Sequence, residues 1–416
     1  MTHRLLFATL VSALFLFAAT GAHAAWNADA EQCAAGGMDP KVNIDACTRA
    51  IESKDLTAIE KARVYHNRGV LRAMSGDVSS AILDLTEAMK LDPKKPENYF
   101  TRGEISMGRR QYTQAAADFE TGLKLDGPSV RGYYLLGLAH SGNGDRDAAI
   151  ADYSAALKIA PREISVLNER ANAYFLKRDW DRALADYTQA IAVDPKNPVL
   201  YHNRGEVWRL TNDLRHAISD FDTAIRLNPK YESAYIRRGF VHIAEHDFKS
   251  ALADLDKAVA LNPTSPGNLS QRGIGRFYAG RYRDAESDLA ESVKGAPKNA
   301  YGVLWLYLAR LHQKKDAIAA LRDQAKALNL GTFPGPIVRF YLGETTVEDV
   351  MTAVRKGSLQ EQKEQLCEAS FYLGEEALLH GNRDEAVRLF RQAIGTGLTY
   401  FYEYQGAAVE LRRLGL

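Results

Sequence analysis

The sequence predicts an all-α fold, a solenoid of helix-turn-helix units, and three observations carry that prediction. Small residues recur at a strict spacing of 34: Gly69, Gly103, Gly137, Gly205, Gly239 and Gly273, with Ala171 in the fourth unit. Twelve residues later stand Ala81, Ala115, Ala149, Ala183, Ala217, Ala251 and Ala285. Twelve further on, Pro93, Gly127, Pro161, Pro195, Pro229, Pro263 and Pro297 close each unit. Seven consecutive units therefore run over residues 62–299 without an insertion.

The elements follow in chain order. Residues 1–24 read as a cleavable secretory leader: Arg4 precedes an apolar run from Leu5 to Ala19, and Ala22-His23-Ala24 is a small-x-small cleavage site. The apolar run is short of the ~20 residues that span a bilayer. No cysteine sits at the cleavage site, so no lipid anchor is expected. Residues 25–61 read as a pair of capping helices, with Ile44, Cys47 and Ile51 on one helical face. Within each unit of 62–299, two amphipathic segments are split by a polar turn such as Ser75-Gly76-Asp77 or Asn143-Gly144-Asp145. The closing Leu91-Asp92-Pro93 and its equivalents end the second helix, because proline cannot continue it. Residues 300–366 read as a degenerate helical region. Helical patterning spans residues 304–327 and is followed by the turn-rich Gly331-Thr332-Phe333-Pro334-Gly335-Pro336. Residues 367–416 read as one more repeat, with Gly374, Ala386, Phe390 and Ala393 in phase, and a last covering helix near 402–414.

One helix pair cannot cover its own apolar face, so the units must stack on their neighbours. The 34-residue pattern resembles the tetratricopeptide repeat (TPR). That resemblance implies a right-handed superhelix with a concave face that holds protein or peptide partners. The carboxyl-terminal third carries a narrower resemblance. Residues 303–311 (VLWLYLARL), 337–351, 367–394 and 403–416 are similar to the end of the NlpI family of periplasmic TPR adaptor lipoproteins. That family implies an adaptor role in cell-envelope maintenance. Two features depart from it: the array is longer than that family's, and the lipidated cysteine is absent at the cleavage site.

Composition narrows the chemistry. Lys and Arg number 53 and Asp and Glu 52, a balance that argues against a generic polyanion or nucleic-acid binder. Three cysteines are too few for a zinc framework. His66, His202 and His242 lie in different repeats and no His-x-x-x-His has a carboxylate partner, so no metal is expected. Residues 36–40 and 141–145 lack the strand-glycine-helix setting of a phosphate loop, and no serine stands in a nucleophile elbow. No cofactor is expected, and the chain reads as a non-enzyme.

Four sets of residues are singled out. Cys33 and Cys47 are expected to form a disulfide, two separate buried thiols being the alternative; export supplies the oxidising compartment. Cys367 is expected as a packed thiol. Arg68, Arg102, Arg170, Arg204, Arg238 and Arg272 precede the small residue in six units, and Asp84, Asp118, Asp152, Asp186, Asp220, Asp254 and Asp288 recur sixteen residues later. These are expected to be semi-buried ion pairs between helices rather than a cationic stripe. Tyr112, Tyr153, Tyr187 and Phe221 fall at packing phases, whereas Tyr134, Phe175, Phe240 and Phe277 sit at first-helix phases that face the concave surface in TPR proteins. Lastly, the carboxylate clamp of chaperone-binding TPR domains is matched in part. Asn168 and Asn172, then Asn203, then Ser233 and Arg237 occupy the clamp phases; Asn172, Asn203 and Arg237 match in type, and both lysine positions are lost. The expected ligand there is a carboxyl terminus or acidic segment, with Asn168, Asn172, Asn203, Arg237, Phe175 and Phe240 as the candidate peptide-binding residues.

The function so read is a non-catalytic periplasmic scaffold for protein or peptide partners, the leader implying a periplasmic or secreted chain. The alternatives are a glycan- or peptidoglycan-associated envelope factor, or an accessory subunit of a separately encoded enzyme.

Overall fold

The structure, a computed structural model, describes residues 27–35 and 40–416. The expected leader, residues 1–24, lies outside the described residues, as do residues 36–39 between the capping helices. The described residues hold helices and no strand. The chain divides into two bodies, Met1–Pro195 and Lys196–Leu416.

The amino-terminal body opens with Ala28–Ala34 and Pro40–Glu52, which the Cys33–Cys47 disulfide joins. Four helix pairs follow: Ala58–Met74 with Val78–Leu91, Pro96–Gly108 with Tyr112–Asp126, Val130–Gly142 with Arg146–Ile159, and Ile164–Leu176 with Trp180–Val193. The carboxyl-terminal body continues the pattern with Pro198–Leu210 and Leu214–Leu227, Glu232–Ala244 and Phe248–Leu261, then Pro266–Tyr278 and Tyr282–Gly295. After Ala300–Leu311 the pattern breaks into the short helices Ile318–Ala325, Gly335–Tyr341 and Val347–Val354. Leu359–Leu379, Arg383–Gly395 and Tyr402–Arg413 complete the body.

Five of the seven turns between paired helices carry the same cap, Gln111 and Arg281 replacing it in the second and seventh repeats. Asp77, Asp145, Asp179, Asp213 and Asp247 cap the second helices, each side chain accepting a backbone N–H three residues on. A cap of this kind contributes about 1 kcal/mol. The residue before the cap is left-handed in every repeat: Gly76, Gly144 and Gly280 at φ 88°, 85° and 73°, but also Arg110, Arg178, Asn212 and His246 at φ 60–63°. A side chain there costs on the order of 1 kcal/mol, so the tight antiparallel turn is retained even where glycine is absent. The periodic small residue has a packing reason. A Cβ on Gly103 or Gly137 would stand 2.5 Å from the ring of Phe119 or Tyr153, sixteen residues later.

The Arg–Asp ladder is present and bidentate. Arg68, Arg102, Arg170, Arg204, Arg238 and Arg272 each donate twice to the Asp sixteen residues on, at 2.5–2.9 Å. Those carboxylates are 3–6% exposed. The guanidinium also reaches back to the preceding helix: Arg102 to Thr86 at 3.1 Å, Arg170 to Ser154 at 3.0 Å, Arg238 to Asp222 at 2.5 Å and Arg272 to Asp256 at 3.0 Å. One side chain thus ties its own helix pair and the neighbouring repeat together. In the third repeat, where Leu136 replaces the arginine, His140 stands one turn later and its Nδ1 lies 2.6 Å from Asp152.

Two boundaries differ from the sequence reading. The helix carrying Cys367 begins eight residues earlier, at Leu359, because Ser358 and Glu361 form a reciprocal capping box. The expected helical stretch over 304–327 is interrupted between Leu311 and Ile318.

Candidate functional site

In the amino-terminal body the first-helix face of the third and fourth repeats gathers three phenol rings and one carboxylate. Val130–Gly142 brings Tyr134; Ile164–Leu176 brings Asn168, Glu169, Asn172 and Phe175. Tyr153 and Tyr187 come from the second helices behind them, each 1% exposed. The rings of Tyr134 and Tyr153 lie 6.2 Å apart. Phe175 is half-buried and meets Trp180 edge-on at 5.6 Å.

The amides expected to hold a ligand's carboxylate already face one. Asn168 Nδ2 donates to Glu169 Oε1 and Asn172 Nδ2 to Glu169 Oε2, both at 3.2 Å. Tyr187 OH donates to Asn172 Oδ1 at 2.5 Å, which fixes the amide with its N–H toward Glu169. Burial, and then the Glu169 charge, push the Tyr134 hydroxyl up to about 12 and raise those of Tyr153 and Tyr187 too. All three phenols therefore stay neutral at physiological pH. Among the described residues no lysine or arginine pairs with Glu169.

In the carboxyl-terminal body the candidate residues are Asn203, Arg237 and Phe240. Asn203 is half-buried on Pro198–Leu210. Arg237 Nε lies 3.4 Å from Glu206, which Arg209 also grips at 3.1 and 3.2 Å. Burial pushes the Glu206 carboxyl up, but Arg209 and Arg237 more than offset it and hold it below its ordinary value. Glu206 in turn raises Arg237. This guanidinium is thus neutralised within the chain, a state the sequence reading missed because Glu206 was not considered with it. Phe240 is 2% exposed and packs on Tyr402 at 4.7 Å between ring centroids. It does not stand open to a ligand: the helix Tyr402–Arg413 crosses the first helices here. Tyr402 OH donates to Gln271 at 2.7 Å, Tyr278 OH donates to the Tyr402 carbonyl at 2.5 Å, and Arg413 donates to the Tyr278 carbonyl at 2.6 Å. Phe277, also expected on the concave face, is fully buried between Tyr278, Tyr282 and Trp305. By contrast Tyr153, Tyr187 and Phe221 are buried at packing positions as expected, and Tyr112 is half-buried against Gly142.

No group of three or more His, Cys, Asp or Glu side chains placed to hold a metal ion occurs among the described residues. No helix among them is long and apolar enough to cross a membrane.

Comparison with known families agrees with the repeat geometry. A tetratricopeptide repeat family model matches residues 100–164, and a second TPR repeat model matches residues 171–208. Those residues are tetratricopeptide repeats, and the described residues fold as an all-α TPR solenoid. This TPR protein is 37% identical over 120 residues to the lipoprotein NlpI homolog of Haemophilus influenzae, a stretch that is 28% of this chain and 38% of that protein. The chain thus spans well under half the length of that relative. Among solved structures, a TPR protein from Parabacteroides merdae matches over 60% of this chain and 99% of its own, with 15% identity and a TM-score of 0.47. The carboxyl-terminal part of a TPR protein from Cytophaga hutchinsonii matches over 56% and 94%, with 16% identity and a TM-score of 0.48. TPR proteins generally bind protein or peptide partners and are generally non-catalytic. The Cys33–Cys47 disulfide fits an extracytoplasmic location.

Proposed function

We propose that this TPR protein is a non-catalytic periplasmic scaffold in cell-envelope maintenance, holding partner proteins or peptides along the first-helix face of its repeats. The observation that carries the reading is the open face of the third and fourth repeats, where half-buried Tyr134, Glu169, Asn172 and Phe175 stand together on rigid helices. Aromatic rings beside fixed polar groups are the usual anchors of a peptide-binding surface. The envelope role is carried from the NlpI-like relative, and the periplasmic compartment from the leader-like amino terminus together with the disulfide.

A photo-crosslinking residue placed at Phe175 in cells tests this. Partner polypeptides should be captured there, and not from Leu83, which is 67% exposed on a second helix. Capture of glycan strands alone at Phe175, or equal polypeptide capture from both positions, would overturn the scaffold reading.

A further inference from the structure

We propose that the first-helix face of the third and fourth repeats is a receptor for a basic side chain, a lysine or arginine of a bound polypeptide, with Glu169 as its counter-charge and Tyr134 as its aromatic wall. The inference rests on the scaffold reading and deepens it by naming the chemistry of what is held.

The argument begins with charge. Elsewhere in this body buried acids have arginine partners: Asp118 and Asp186 have their ladder arginines, and Glu104 has Arg131 at 2.5 Å, while Asp152 has His140. Glu169 has none; its contacts are two neutral amides. A half-buried carboxylate that is oriented by hydrogen bonds but not neutralised is the complement of a cation. Its surroundings suit one. Electron-rich ring faces attract ammonium and guanidinium groups, and phenol oxygens accept hydrogen bonds, of which an ammonium donates three.

An independent observation points the same way. The Tyr153 hydroxyl, in a residue 1% exposed, completes no hydrogen bond, although the Ser141 side chain is its neighbour. A buried hydroxyl left unsatisfied costs roughly 1–3 kcal/mol. The Tyr153 ring lies 6.2 Å from that of Tyr134. Arrangement rather than composition excludes an anionic ligand: both amide donors are committed to Glu169, and a second carboxylate would meet its charge. The acidic peptide expected from the clamp phases is thus replaced here by a basic one.

The test uses the full chain and a fluorescein-labelled Gly-Ser-Lys-Leu-Lys-Ser-Gly peptide, with a twin in which norleucine replaces both lysines. Fluorescence anisotropy at low salt should show the lysine peptide binding about tenfold tighter than its twin. Glu169→Gln should erase that preference, and Glu87→Gln, on a second helix, should keep it. Circular dichroism checks that each variant is folded, and Tyr134→Leu should erase the preference independently. A preference that survives Glu169→Gln in a folded protein overturns the proposal, as does equal binding of the twin to wild type. Spermidine displacing the peptide as well as unlabelled peptide does would mean an amine receptor and also overturns it. If Glu169→Gln leaves both the preference and partner capture at Phe175 intact, this inference fails while the scaffold stands. If nothing is captured at Phe175, the scaffold itself fails.

Discussion

In residues 27–195 the apolar core is divided into small local clusters: Cys33, Cys47, Val64 and Leu71 in one, Ala81, Leu85 and Ile105 in another, Phe100, Phe119 and Leu135 in a third. In the carboxyl-terminal body a small cluster of Ala217, Phe221 and Val241 is followed by one that runs from Phe240 to Leu411 and holds Trp305, Phe371, Tyr372 and Phe390. The first region buries each helix against its sequence neighbours. The second ties together residues more than a hundred positions apart, as where Tyr278 meets Tyr402. The polar contacts differ likewise. The ladder arginines of the first body reach back to hydroxyls, Thr86 and Ser154, whereas Arg238 and Arg272 reach back to carboxylates, Asp222 and Asp256. The difference teaches where this protein leaves room for a partner. Locally stabilised repeats keep their first-helix face open at Tyr134 and Glu169, while the globally packed region spends its own face on the helix Tyr402–Arg413.

The sharpest way to break that comparison is at Trp305, 1% exposed and 5.2 Å from both Phe277 and Phe371. Trp305→Ala should cost about 4 kcal/mol. Limited proteolysis in denaturant should then show residues 300–416 losing protection first, with the first four repeats intact. Loss of both regions at one midpoint would mean the contrast in packing has no energetic counterpart.

Arg170→Ala leaves Asp186, 5% exposed, without its bidentate partner and should cost about 3 kcal/mol. Because repeats couple mainly to neighbours, amide hydrogen exchange should quicken in the third and fourth repeats and stay unchanged beyond Trp305. Uniform acceleration would argue against local stabilisation.

Acidity should separate the two bodies further. In the carboxyl-terminal body Glu368, Glu403 and Glu410 are 8%, 3% and 3% exposed. Burial raises all three, and neighbouring acids add to it: Glu403 beside Glu368, and Glu375 beside Glu410. Glu410 is pushed up to about 7. A carboxyl raised on folding holds its proton better in the native state. Its contribution is therefore fully present below the ordinary value of about 4.5 and is lost as pH rises from there toward about 7. The wild-type body should lose stability across that window, by at most about 1.4 kcal/mol per pH unit for each proton. Glu403→Gln should flatten the slope. Unfolding midpoints that rise with pH in the wild type relative to the variant would contradict the sign.

The smallest effect is expected at the ladder's substituted rung. His140→Ala removes the hydrogen bond to Asp152 and should cost about 1 kcal/mol. Burial already raises the Asp152 carboxyl, and Glu120 adds to it. Chemical denaturation of the single variant measures this. A loss as large as that of Arg170→Ala would show the histidine to be a full replacement for the arginine.

What the sequence alone determined was everything written at a fixed spacing. The helix pairs, the Arg–Asp rungs sixteen residues apart and the glycines under Phe119 and Tyr153 all repeat. One correct phase assignment therefore places every copy. The Cys33–Cys47 bond was legible for a related reason: it closes a short loop, and only Cys367 competes for a partner. The left-handed turns were half legible, because Arg110, Arg178, Asn212 and His246 adopt a conformation that only glycine announces. Tertiary structure decided the rest. Glu206 pairs with Arg237 across two repeats at a phase where only Glu104 among the other units is acidic, and Glu169 is met by the amides of Asn168 and Asn172. Tyr402 covers Phe240 over a separation of more than 160 residues. Such contacts occur once each, and a single contact between distant positions leaves no period in the chain from which to read it.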